Sequence, residues 1–104
     1  MYEYRATLIR VVDGDTVWLD VDLGFDVRRK DSFRLFGIDA PEMGTPEGAA
    51  AKDWLLRRLP SVFMIRTEKD RREKYGRYLV TLIVNGSDIN QEMLDQGIAR
   101  EYGG

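Results

Sequence analysis

"GTPEGAAAKDWLLRRLP", residues 44–60, is the stretch on which the fold turns, because it is a helix set inside a chain of strands. Thr45 has the oxygen an N-cap needs, and Pro46 suits the first helical position, where a missing N–H costs nothing. Pro60 stops the run. Ala50, Trp54, Leu55 and Leu59 fall roughly on one face of the predicted helix. Upstream, "YRATLIRVV" (4–12) is rich in β-branched and aromatic residues and reads as a strand. "DGDTVWLDVD" (13–22) opens on an Asp-Gly turn signal and then alternates Val17, Leu19 and Val21 with polar neighbours. After a turn at Leu23-Gly24, residues 26–38 give a third strand. Downstream, "SVFMIRTE" (61–68) and "GRYLVTLIVNG" (76–86) read as a fourth and fifth. "SDINQEMLDQGIA" (87–99) then forms a short helix that Ser87 or Asp88 caps and Gly97 ends.

Three strands, a helix, two strands and a closing helix define an α+β, mainly β domain. The position of the first helix, between strands three and four, matches the five-stranded OB-fold barrel. With 104 residues, 43% of them hydrophobic, and no repeat or low-complexity tract, residues 1–104 read as one domain with one core.

Composition narrows the chemistry. The absence of histidine and cysteine removes disulfides, thiol catalysis, imidazole base chemistry and the usual zinc sites. A metal would have to be held by oxygen, which points to calcium or magnesium. The net charge of −2 does not suggest a nucleic-acid binder, but its distribution is uneven. Residues 1–50 carry six Lys/Arg against ten Asp/Glu, whereas residues 66–77, "RTEKDRREKYGR", carry six against three. Such a patch can meet a polyanion locally, within a Debye length of ~8–10 Å. No stretch is long enough to span a bilayer, and the N-terminus has no basic segment followed by an apolar run. As written the sequence reads as cytoplasmic; secretion of a longer precursor stays open.

The polar residues of "FRLFGIDAPE" (33–42) raise the functional question. Asp39 and Glu42 have capping-box spacing, but the better helix start is Thr45, so they have little to cap. Pro41 fixes φ and makes a rigid turn that aims both carboxylates one way. Arg34 and Asp39 are an odd number apart and would face opposite sides of a regular strand, so Gly37 is the natural place for a bend. Asp13 and Asp15 flank the first turn, yet the rest of an EF-hand loop is missing: the fifth position is Val17 and the twelfth Gly24. Gathering Asp15, Asp39 and Glu42 is costly, since two carboxylates ~4 Å apart repel by about 4 kcal/mol at an effective dielectric of ~20. The cluster calls for a cation, calcium being the simpler answer, or a raised pKa on one member. In "RREKYGR" (71–77), Tyr75 offers a ring for a base or sugar, while an arginine grips phosphate oxygens at two points.

"VVDGDTV", "FRLFGIDAPE" and "KYGR", in that order, resemble the staphylococcal nuclease (thermonuclease) family, and the likeness runs from about Tyr4 to Ala99. The resemblance implies an OB barrel bearing a calcium-dependent phosphodiesterase that cleaves DNA and RNA, single-stranded or locally open, at the 5′ P–O bond, leaving 3′-phosphates. It implies that calcium is held by Asp15, Asp39 and the backbone carbonyl of Ala40, with Asp13 behind them. It assigns Glu42 to the attacking water, Arg34 and Arg77 to the phosphate, and Lys74 and Tyr75 to the bound nucleotide. Ala40 stands where the family often has threonine, a change that a carbonyl ligand survives. The loop "MGTPEG" is short for the family, which implies a more open substrate groove. Members usually continue past the point where this chain ends in "REYGG", and Tyr102 is a possible stand-in for one substrate-contacting tyrosine. Nothing demands more than a monomer. The rival reading is a catalytically idle module of the same fold that binds nucleic acid or a protein partner; retention of the carboxylates Asp15, Asp39 and Glu42 and the arginines Arg34 and Arg77 argues against it.

Overall fold

The fold was obtained as a computed structural model that describes residues 2–72 and 76–102, with backbone only for 69–72. Its elements in chain order are β1 (Glu3–Asp13), β2 (Thr16–Asp22), β3 (Arg28–Leu35), β4 (Ile38–Asp39), α1 (Pro46–Arg58), β5 (Val62–Arg72), β6 (Tyr78–Val84), β7 (Ser87–Asp88), α2 (Ile89–Asp95) and β8 (Arg100–Glu101). Strands pair in the order β3-β2-β1-β5-β6-β7, and a parallel β3–β6 pairing closes the sheet on itself. The expected five-stranded OB-type barrel, with a helix between its third and fourth long strands, is therefore the fold observed.

Alternation builds the barrel wall. Val17, Leu19 and Val21 of β2 and Phe33 and Leu35 of β3 point inward, joined by Ile65, Val80 and Leu82 from the far side. Burying each such side chain stabilises the fold by about 1.5–3 kcal/mol. Leu55 from α1 and Ile89 and Met93 from α2 plug the same core. Thr45 caps α1 as expected, accepting from the Gly48 amide at 3.0 Å, and Asp88 caps α2 through the Gln91 amide at 2.9 Å. The buried stripe of α1 is Gly48, Ala51 and Leu55, one position on from the expected Ala50, which is exposed. A bidentate Arg58–Glu92 pair, at 2.8 and 2.9 Å, ties the two helices together.

Two local corrections bear on the site. The third strand does not run unbroken from 26 to 38. It ends at Leu35, the chain turns at Gly37 with φ of +79°, and Ile38–Asp39 leaves the barrel to pair with β8. The β4–β8 ribbon has no counterpart in the sequence-based expectation, because two-residue strands carry too little pattern to register. Asn90, buried in α2, holds this break in place. Its side chain donates to the Phe36 carbonyl (2.9 Å) and the Val80 carbonyl (3.1 Å), and it accepts from the Leu82 amide (3.1 Å). Sequence reasoning did not single it out; an asparagine in an otherwise apolar helix face was the available signal.

Candidate nuclease site

The site begins at the β1–β2 turn. Asp13 accepts the Asp15 amide at 3.0 Å, an Asx turn that fixes the direction of the next carboxylate. Asp15 itself is buried. One carboxylate oxygen accepts from the Thr16 hydroxyl at 3.2 Å, and the other accepts from the Ala40 amide at 2.9 Å and meets Arg34 Nη1 at 3.2 Å. Burial pushes the Asp15 carboxyl above its ordinary pKa, and neighbouring Asp13 pushes the same way; the Ala40 amide and Arg34 pull against them.

Arg34 lies between inward-facing Phe33 and Leu35 and so points out of the barrel wall. The bend at Gly37 then does what an unbroken strand would not, returning Asp39 to the same side. Arg34 Nη2 donates to the Ile38 carbonyl at 3.2 Å and to Asp39 Oδ1 at 3.3 Å. The guanidinium thus joins two carboxylates that the sequence separates by 24 positions, and the ring of Tyr102 lies 5.4 Å away over its face. Only 14% of the Arg34 side chain is exposed. The counter-charge that the acidic cluster calls for is supplied, in this structure, by an arginine of the chain itself. A second cation adds to it: Arg100 Nη2 contacts Asp39 Oδ2 at 3.3 Å. Arg100 was not singled out from the sequence, since its role depends on the β4–β8 pairing.

Arg77 arrives through barrel closure. The parallel pairing sets Tyr78 beside Phe33 and Leu79 beside Arg34. From the end of the preceding loop, Arg77 Nη1 reaches the Thr16 hydroxyl at 2.9 Å, one residue from Asp15. Glu42 is placed differently. It is exposed, its carbonyl accepts from the Thr45 hydroxyl at 2.6 Å, and it lines a cleft of about 610 Å³. Asp39, Ala40, Pro41, Gly97, Ile98, Ala99 and Arg100 line the same cleft. Asp15 and Asp39 are therefore brought together, while Glu42 stands beside them rather than among them. Among the described residues, no three acidic side chains are grouped closely enough to hold a metal ion. Lys74 and Tyr75 lie outside the described residues.

Two carboxylates on one small patch, with oxygen donors only, are the kind of group a hard divalent cation takes, and the cation would compete for them with Arg34 and Arg100. Asp15, Asp39 and the Ala40 carbonyl are the groups that would hold calcium, although what the structure shows of Ala40 is its amide, bound to Asp15.

Comparisons with known proteins bear on the family. The family model described as "Staphylococcal nuclease homologue" matches residues 32–103. Thermonuclease of Staphylococcus hyicus is 33% identical over 106 residues, covering 94% of this chain and 59% of its own length. Thermonuclease of Staphylococcus intermedius is 35% identical over 99 residues, covering 88% and 55%. Endonuclease YncB of Bacillus subtilis is 30% identical over 104 residues, covering 92% and 47%. The chain spans about half the length of these relatives. With the barrel and the family match in agreement, the chain belongs to the staphylococcal nuclease homologue family.

Proposed function

We propose that this chain is a calcium-dependent nuclease that hydrolyses phosphodiester bonds of single-stranded or locally open DNA and RNA. The reading carries over the family chemistry: water attacks phosphorus, the bond to the 5′ oxygen breaks, and a 3′-phosphate remains. What carries it is one observation, that Arg34 bridges Asp15 and Asp39 with Arg77 anchored one residue away on Thr16. Two guanidiniums are thereby held beside a pair of oxygen donors. In-line phosphoryl transfer needs fixed positive charge around a five-coordinate phosphorus and an oriented water.

Each residue then has a task. Asp13 sets the turn, and Asp15 and Asp39 supply anionic oxygens. Calcium, when bound, polarises a phosphoryl oxygen and offsets its charge. Arg34 and Arg77 hold the non-bridging oxygens and the charge that builds on them in the transition state. Glu42, exposed on the wall of the adjoining cleft, orients the attacking water or takes its proton. Lys74 and Tyr75 contact the nucleotide. The active species is a monomer, with no membrane association.

Incubation with single-stranded DNA in calcium, and again in excess EDTA, tests this. Cleavage in calcium that stops in EDTA, with 3′-phosphate ends, supports the reading. Binding without digestion in either condition overturns it in favour of an idle nucleic-acid-binding module.

A further inference from the structure

Asp39 is the most heavily balanced carboxylate of the site. Arg34 takes one oxygen and Arg100 the other, each at 3.3 Å. Arg100 is not there by chance of a long side chain. In the β4–β8 ribbon Asp39 stands directly opposite Arg100, and Ile38 opposite Glu101, so the backbone register delivers the guanidinium to the carboxylate. The two arginines differ in freedom: 14% of the Arg34 side chain is exposed, against 84% for Arg100. Arg34 is further tied to Asp15 and the Ile38 carbonyl.

Charge balance gives this arrangement a consequence. Asp15, Asp39, Arg34 and Arg100 are in direct contact and sum to zero. A divalent cation added to that set leaves it two charges in excess, and like charges at contact distance are costly. The solvent-exposed arginine is the one that leaves at least cost, because water takes over its hydrogen bonds. It also lines the cleft that Glu42 and Gly97 line. That cleft, of about 610 Å³, has the size of a nucleotide site. A guanidinium released there is solvent-exposed at the cleft, where an anion entering it can take the place of Asp39.

We propose that Arg100 is an exchangeable counter-ion: it neutralises Asp39 when the site holds no divalent cation, yields that carboxylate to the cation, and passes to a backbone phosphate of the substrate flanking the one that is cut. This rests on the nuclease reading above and goes beyond it, assigning to Arg100 both a brake on cation binding and a phosphate subsite.

Calorimetric titration of calcium into wild type, Arg100→Ala and Arg100→Lys, without nucleic acid, is the first arm. The second measures binding of a phosphorothioate oligothymidylate, in calcium, as a function of salt. Arg100→Ala is expected to bind calcium about two- to fivefold more tightly, the size of one exposed ion pair. It should also lower the slope of log affinity against log salt by about 0.7, one single-strand phosphate contact. Arg100→Lys should keep the wild-type slope, since it keeps the charge. Calcium affinity in Arg100→Ala at or below the wild-type value, or an unchanged salt slope, overturns the exchange while a wild type that cuts DNA keeps the nuclease reading intact. Wild-type protein that binds no calcium at all overturns both.

Discussion

Replacing Arg34 with methionine, close in length and without charge, isolates what the central guanidinium does for folding from what it does for substrate. Arg34 and Asp15 leave only 14% and 8% of their side chains exposed, so their pair is a buried one; Asp39, at 33%, is closer to the surface. Removing one partner of a buried pair costs about 3–5 kcal/mol, because the other charge stays buried without compensation. The Ala40 amide and the Thr16 hydroxyl remain on Asp15, which sets the expected loss at the lower end, about 3 kcal/mol at pH 7 in EDTA. In a domain of this size that lowers Tm by more than about ten degrees. The pH dependence has a definite sign. Asp15 already has a folded pKa above its unfolded value, and the loss of Arg34 raises it further, since that arginine is one of the groups pulling it down. The folded state therefore takes up a proton the more readily. That contribution is present in full below the unfolded pKa and is lost as pH rises through the folded one, so the deficit of Arg34→Met should shrink toward pH 4. Calcium at one fixed concentration should act likewise at pH 7: a site without the Arg34 charge holds the cation more tightly and so gains more than wild type, each protein gaining about 2.7 kcal/mol at 100 times its own Kd. Urea denaturation at the two pH values, with EDTA or calcium, measures all of this. A deficit under ~1 kcal/mol at pH 7, or one that is the same at both pH values, refutes the counter-charge role of Arg34.

Three further substitutions probe the frame around that bridge. Glu42→Gln should leave the urea midpoint unchanged, since Glu42 is exposed, while turnover on single-stranded DNA falls about 10²–10³-fold; unaltered turnover removes Glu42 from the mechanism. Asn90→Ala should cost about 2–4 kcal/mol, because the Leu82 amide and the Phe36 carbonyl lose buried partners; a loss below ~1 kcal/mol in the same urea assay would count against Asn90 as the clamp on the Gly37 bend. Gly48→Ala should destabilise by about 1–3 kcal/mol despite alanine's better helix propensity, because the added Cβ falls on the Glu42 carbonyl and within 3.0 Å of the Pro41 carbonyl. A stabilised Gly48→Ala protein would show that α1 does not press on the Pro41–Glu42 turn.

Why so much of this site was legible in the sequence, and Arg100 was not, has a physical explanation. Periodicity exposes long elements: the alternation of Val17, Leu19 and Val21 marks β2, and Thr45-Pro46 marks the start of α1. Asp15, Arg34 and Asp39 lie within strongly patterned segments, and glycine at position 37 signals the bend that lets residues five apart share a face. The extent of α1's buried face was off by one position because Ala50 and Ala51 are equally small and apolar; only contact with the β1–β2 turn, where Ala51 packs near Gly14, chooses between them. The three-carboxylate cluster was expected from the Pro41 turn, read as aiming Asp39 and Glu42 one way. Among the described residues no three acidic side chains are so grouped, and the Glu42 carbonyl accepts from the Thr45 hydroxyl that caps α1. Arg100 belongs to a two-residue strand whose existence depends on where β4 goes after the bend. Each step there is tertiary: Asn90 holds Phe36, the turn frees Ile38–Asp39 from the barrel, and the freed edge recruits β8. An arginine at position 100 has no local pattern to mark it, yet its register opposite Asp39 follows once those three steps are taken. In this fold, then, the charged residues that lie in or beside long patterned segments can be read locally, whereas the pairing of Arg100 with Asp39 is set by how the strand ends meet.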